Sequence, residues 1–252
     1  MDIKPENRFT FPTIYFANAR SINNKKEELE QEIRDAHADI AIITETWLHS
    51  DIASNLFHIE GYEFIRNDRE TRQGGGVAVY IRSDIPFKRW ICCEENTIET
   101  VWVTLRPPKL PRDVTHIAIA CVYHPTQANH RDLKDHLSRG FDFILTKHPG
   151  TGLAAIGDFN KFPDYHLTSQ HGLKQLVKAA TREKSTLDKC YMNMHKYYVN
   201  PEIRSHLGKS DHLAVLLNPN KQSRHNTGAL KKGSPGFKAR TKRLCLCTSY
   251  KI

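Results

Sequence analysis

The sequence predicts an α/β fold: two packed mixed β-sheets flanked by helices, in a four-layer α/β/β/α sandwich. Three observations carry that expectation. Residues 39–45, 116–123 and 153–160 form short, nearly continuous apolar runs, the pattern of buried strands. Residues 25–37 and 131–147 repeat apolar side chains at helical spacing and precede two of those runs. Residues 61–66 and 77–82 read as an antiparallel pair, so strands of both senses share the fold.

In chain order, Thr13-Ile14-Tyr15-Phe16-Ala17 is a β-rich run that stops at Asn18. The helix over 25–37 sets Leu29, Ile33 and Ala36 on one face, and the strand over 39–45 ends in Glu45. Strand, helix and strand with short links imply a crossover that brings Asn18 and Glu45 to one sheet edge. Gly74-Gly75-Gly76 lacks the Gly-Lys-Ser/Thr of a phosphate loop and enters a strand, so close backbone approach or a bulge is the expected use. Residues 99–105 alternate as a strand, and the strand over 116–123 is halted at His124-Pro125. Leu133, Leu137 and Phe141 mark the second helix, which leads into the run ending Gly157-Asp158-Phe159-Asn160. Period-two geometry would turn Asp158 and Asn160 to the same side, although the same tetrapeptide suits a simple turn. Residues 172–179 are expected as a short helix, Cys190-Tyr191-Met192 as a strand after Asp188, and 213–217 as the last strand, opened by Ser210-Asp211-His212.

The organisation expected is an N-terminal extension over 1–12, one domain over 13–218 and a basic tail over 219–252. The net charge of +9 lies wholly in that tail, which holds nine basic residues and no acid, leaving 28 bases against 28 acids elsewhere. No apolar run approaches the ~18 to 20 residues of a membrane span, and the start lacks a signal-peptide core, so an intracellular protein without membrane contact is expected. The six cysteines show no disulfide framework, and Cys245 with Cys247 is a lone C-x-C short of zinc ligands.

Several strand ends thus carry polar, chemistry-bearing residues: Asn18, Glu45, Tyr123, Asp158 with Asn160, Asp188, and Asp211 with His212. Thr44-Glu45-Thr46-Trp47, Val122-Tyr123, Gly157-Asp158-Phe159-Asn160, Leu187-Asp188 and Ser210-Asp211-His212, in this order, resemble the endonuclease/exonuclease/phosphatase superfamily. Within it, Asn18-Ala19-Arg20-Ser21, Glu45-Thr46-Trp47-Leu48, the triple glycine with Val77-Ala78-Val79-Tyr80, and Gly172 to Asp188 are most similar to the endonuclease domain of non-LTR retrotransposons.

The resemblance implies a divalent-metal-dependent DNA endonuclease that nicks one strand and leaves 3′ hydroxyl and 5′ phosphate ends, using Mg²⁺ or Mn²⁺. It implies metal contacts at Glu45, Asn18 and Asp211, with Asp158 activating water and Asn160 holding a phosphoryl oxygen. Asp188 would orient His212 as a phosphate donor, with Tyr123 near the phosphate or leaving group, and Arg20 and Ser210 join Asn18 and Asn160 as substrate contacts. A reverse transcriptase encoded in frame in the parent element, a nuclear location and a monomeric state follow as expectations. Arg20 stands where apurinic endonucleases carry an Asp, which removes one metal contact. The chain could instead be a non-catalytic nucleic-acid-binding remnant, or a phosphoesterase acting on small phosphoesters. His124 is expected to be exposed, and Arg182 and Lys161 to lie on solvated faces.

Overall fold

The computed structural model describes residues 11–70 and 74–220. The tail from 221, with Cys245 and Cys247, and the first ten residues lie outside that description.

Strand β1 (Ile14–Asn18), helix α1 (Lys26–Asp35) and strand β2 (Ile40–Thr44) form the first unit, with β1 and β2 parallel and Asn18 level with Thr44. β3 (Tyr62–Asn67) and β4 (Val77–Arg82) are the expected antiparallel pair, and β4 also pairs antiparallel with β2. β5 (Phe87–Arg89), β6 (Glu99–Leu105) and β7 (Ile117–Tyr123) follow in antiparallel pairing. Helix α2 (His130–Lys147) then leads to β8 (Gly152–Asp158), parallel to β7. The short helix α3 (Tyr165–Thr168) precedes β9 (Lys174–Gln175), β10 (Asp188–Met192), β11 (Glu202–His206) and β12 (Leu213–Leu217). Two six-stranded sheets result, ordered β11-β12-β1-β2-β4-β3 and β5-β6-β7-β8-β10-β9. Among the described residues β1 is the first strand and β12 the last, and they lie side by side in antiparallel register.

Alternation along the strands explains the layering. Ile14, Phe16, Ile40 and Ile42 of one sheet share a buried core with Val101, Val103, Ile117 and Ile119 of the other. The intervening residues Tyr15, Ala41 and Ile43 pack on Leu29 and Ile33 of α1. On the second sheet Trp102, Ala120 and Ala155 meet Leu133, Leu137 and Phe141 of α2. Strands buried on both faces have no polar side to show, which is why their sequences run apolar. The four-layer sandwich is thereby established.

One expected element is replaced. Residues 172–179 form no helix: β9 pairs antiparallel with β10, and Leu176 N–H donates to Cys190 O at 2.8 Å. Leu173 enters the α2-side core whereas Val177 enters the core between the sheets, so their helix-like spacing reflects two separate cores. Phe11 is also buried, stacked 4.3 Å from Tyr197, and Tyr198 donates to Pro12 O, so the packed body includes these two residues.

Candidate active site

Pairing register gathers the polar strand ends at one rim. Tyr123 stands level with Asp158 across the parallel β7–β8 pair, and Asp188 stands level with Asp158 across the antiparallel β10–β8 pair. In the other sheet Asn18 ends β1, Glu45 follows β2, and the segment from Ser210 to His212 enters β12. Gly157 is needed for this register: its φ is +145°, and a Cβ there would stand 2.0 Å from Val122 O on the neighbouring strand.

The sheets are joined by Asn18, whose Nδ2 donates to Asp158 Oδ2 at 2.9 Å. Arg20 N–H donates to Asn18 Oδ1 at 3.1 Å, which turns the amide nitrogen towards Asp158. The other Asp158 oxygen accepts the Asn160 N–H at 2.9 Å. Asn160 has a φ of +48°, so a tight turn rather than continued strand geometry brings it beside Asp158. Its Nδ2 donates to His124 O at 2.9 Å.

Asp188 Oδ2 and His212 Nδ1 are hydrogen-bonded at 2.8 Å with both residues buried. Ser210 donates to Asn18 O at 2.7 Å and accepts the His212 N–H at 3.2 Å. Glu45, with a φ of +51°, accepts Tyr123 O–H on Oε1 at 2.7 Å and Trp47 Nε1–H on Oε2 at 3.2 Å.

Burial, then the negative charge of Asp188, pushes the Asp158 carboxyl up to about 7, against the pull of His212 and of donors from Asn160 and Asn18. Burial alone would lower the His212 imidazole, but the Asp188 hydrogen bond and nearby carboxylates prevail, so it lies above its usual 6.5. Burial and the adjacent Glu45 raise the Tyr123 phenol, which stays protonated.

This donor set suits a hard divalent cation. Asp158, Asp188 and His212 each offer an atom within 4.8 Å of the others'. Asp188 Oδ1 is buried with no hydrogen-bond partner, an acceptor awaiting a positive neighbour. Each Glu45 oxygen carries one hydrogen bond, which leaves lone pairs for a ligand.

Not every candidate joins the cluster. Asp211 is half-exposed and pairs through Oδ2 with Arg182 at 2.6 Å, outside the buried trio. The Arg20 side chain is exposed, and only its backbone reaches the site. His124, expected to be exposed, is buried instead, packed on Phe162 and hydrogen-bonded to His130 at 2.8 Å. Sequence reasoning gave no role to Thr181: its hydroxyl accepts the Leu187 and Asp188 N–H groups and its carbonyl the Leu213 N–H, tying together the segments that carry Asp188 and His212. A buried threonine in a turn-rich stretch offers no periodic signal. Beside Tyr123 a cleft of about 910 Å³ opens, reaching the cluster through Tyr123 and His124 rather than over Asp158.

The two-sheet frame points to a class, that of nucleases and phosphatases acting on phosphoesters. Residues 15–212 match the model of the endonuclease/exonuclease/phosphatase family, and the chain belongs to that family. No curated protein matches it in sequence. Among solved structures, the endonuclease domain of TRAS1, a telomere-specific non-LTR retrotransposon, superposes with a TM-score of 0.63 at 16% identity, covering 83% of this chain and 99% of that one. The AP endonuclease LMAP from Leishmania major gives 0.65 at 14% identity over 81% and 86%. The 3′ phosphatase NExo from Neisseria, bound to a product DNA hairpin, gives 0.56 at 13% identity over 83% and 100%. At such identities the likeness is one of fold. No helix among the described residues is long and apolar enough to cross a membrane.

Proposed function

We propose that this chain is a divalent-metal-dependent DNA endonuclease that nicks one strand, leaves 3′ hydroxyl and 5′ phosphate ends, and derives from a non-LTR retrotransposon. The observation that supports it most is the hydrogen-bonded line from Asn18 through Asp158, beside the Asp188–His212 pair, which joins both sheets at one rim.

Asp158 takes the proton of the attacking water; a carboxyl raised towards neutrality suits a general base near pH 7. Asn160 spends one amide hydrogen on His124 O and keeps the other for a phosphoryl oxygen. His212, held by Asp188 through Nδ1, keeps Nε2–H for the scissile phosphate. Tyr123, protonated and hydrogen-bonded to Glu45, would contact the phosphate or the departing 3′ oxygen. Glu45 and Asn18 would hold the cation, while Asp211, ion-paired with Arg182, stays outside the cluster. When bound, Mg²⁺ or Mn²⁺ would neutralise phosphate charge and stabilise the leaving oxygen.

Supercoiled plasmid incubated with the protein and Mg²⁺ should become open circles that a polymerase can extend, and EDTA should stop the reaction. Absence of open circles, while Glu45→Ala binds DNA as well as the parent protein, would refute catalysis. An in-frame reverse transcriptase in adjoining genomic DNA would support the retrotransposon origin. The substrate argues for a nuclear location, and a monomer is expected on gel filtration.

A further inference from the structure

A closed circuit of polar interactions surrounds Glu45. Glu99, the first residue of β6, receives Arg69 on Oε1, from Nε at 2.9 Å and Nη2 at 2.5 Å. Its Oε2 accepts the Gly76 N–H at 2.6 Å. From the glycine turn the circuit passes to the segment after β2: Trp47 N–H donates to Gly75 O at 2.9 Å, and Thr46 N–H to Gly76 O at 3.4 Å. Trp47 then donates its indole N–H to Glu45 Oε2. On the other side the Arg69 guanidinium lies 5.5 Å from the centre of the Tyr123 ring, whose hydroxyl donates to Glu45 Oε1. Tyr123 is also level with Glu99 across β6 and β7.

The triple glycine belongs to this circuit. All three residues have a φ between +74° and +87°. A Cβ on Gly75 would stand 2.4 Å from Arg69 Cζ and Glu99 Oε2, and one on Gly76 would stand 2.5 Å from Thr46 Oγ1. At Gly75 and Gly76 a side chain would displace the ion pair or Thr46, whereas at Gly74 only the positive φ favours glycine.

We infer that Glu99 is a positioning residue for Glu45, acting through the Gly74–Gly76 turn and Trp47 on one side and through Arg69 and Tyr123 on the other. This rests on the proposed role of Glu45 in holding a divalent cation. Arg69 and Glu99 are each nearly buried, so the pair is shielded from solvent and suited to fixing geometry. Removing either partner leaves the other unpaired.

The test is Glu99→Ala, with Glu95→Ala as control: Glu95 also borders the cleft but pairs with His136 and Arg139 and does not touch the glycine turn. In metal-free protein the Trp47 indole N–H resonance, assigned by its disappearance in Trp47→Phe, should move in Glu99→Ala towards its position in Glu45→Gln. Mn²⁺ affinity, read by electron paramagnetic resonance, should fall by about tenfold or more, as is usual when an outer partner of a metal ligand is removed. Glu99→Gln should give a smaller change in both, and it carries the test if Glu99→Ala does not fold. An unmoved indole resonance with Mn²⁺ affinity within about twofold of the parent would overturn the inference, as would equal effects from Glu95→Ala. Because the indole readout needs neither DNA nor turnover, it stands even if plasmid nicking fails.

Discussion

Asp158 meets opposing demands: it is buried, it faces Asp188, and it accepts two hydrogen bonds that favour its charged form. Replacing it with Asn should reduce nicking by about 10² to 10⁴-fold, the usual range for removal of a general base, with far-UV circular dichroism unchanged. His212 offers a pH readout. In metal-free protein its imidazole should titrate above 6.5 by NMR, and Asp188→Asn should move it down, because the hydrogen bond and charge of Asp188 no longer oppose burial and only Asp158 and Asp211 still do. The linked stability has a definite sign. With its folded pKa raised, His212 contributes stability below the unfolded pKa and loses it as pH rises through the folded value, so Asp188→Asn should flatten that alkaline decline. Sequence reading singled out Asp158 at the end of an apolar run, and Asp188 and His212 at the start of later strands, with their roles coming from the family resemblance. It missed Glu99, Arg69 and Thr181 because their partners lie far along the chain or on backbone atoms. Arg20 shows the same limit: its backbone N–H orients Asn18, a role that no side-chain pattern announces.

Elements were legible where both faces are buried and obscure where they are polar or short. β1, β2, β7 and β8 are buried throughout and mainly apolar, and each was expected. β11, mostly exposed, and the two-residue β9 draw their existence from a neighbouring strand, and no local pattern announces them. Two elements invite stability tests. The Asn129 side chain caps α2 by accepting the Arg131 N–H at 2.8 Å, so Asn129→Ala should cost about 1 kcal/mol in urea melts. Gly157→Ala should cost about 3 kcal/mol or prevent folding, since its Cβ would collide with the backbone of β7 and wedge β8 away from it.

Across the whole molecule, the rim is assembled from residues 18 to 212, and neither sheet contains it alone. A chain shortened to residues 11–220 is expected to melt cooperatively and to retain plasmid nicking. If the basic tail binds phosphates, its removal should lower the salt dependence of DNA affinity by a slope of about 0.9 for each phosphate no longer neutralised. The gross architecture was legible because alternating and continuous apolar runs report layers. The order of strands was not, because it depends on pairings between distant segments, of which β1 with β12 is the widest.

That widest pairing sets when the polar rim can form. A ribosome making this protein releases β1 long before β12 exists, so the opening strand waits with one edge bare, and Asn18 has neither Asp158 nor Ser210 to hold. The proposed nicking activity therefore cannot precede synthesis of β12, and a polypeptide interrupted before that strand should be inert.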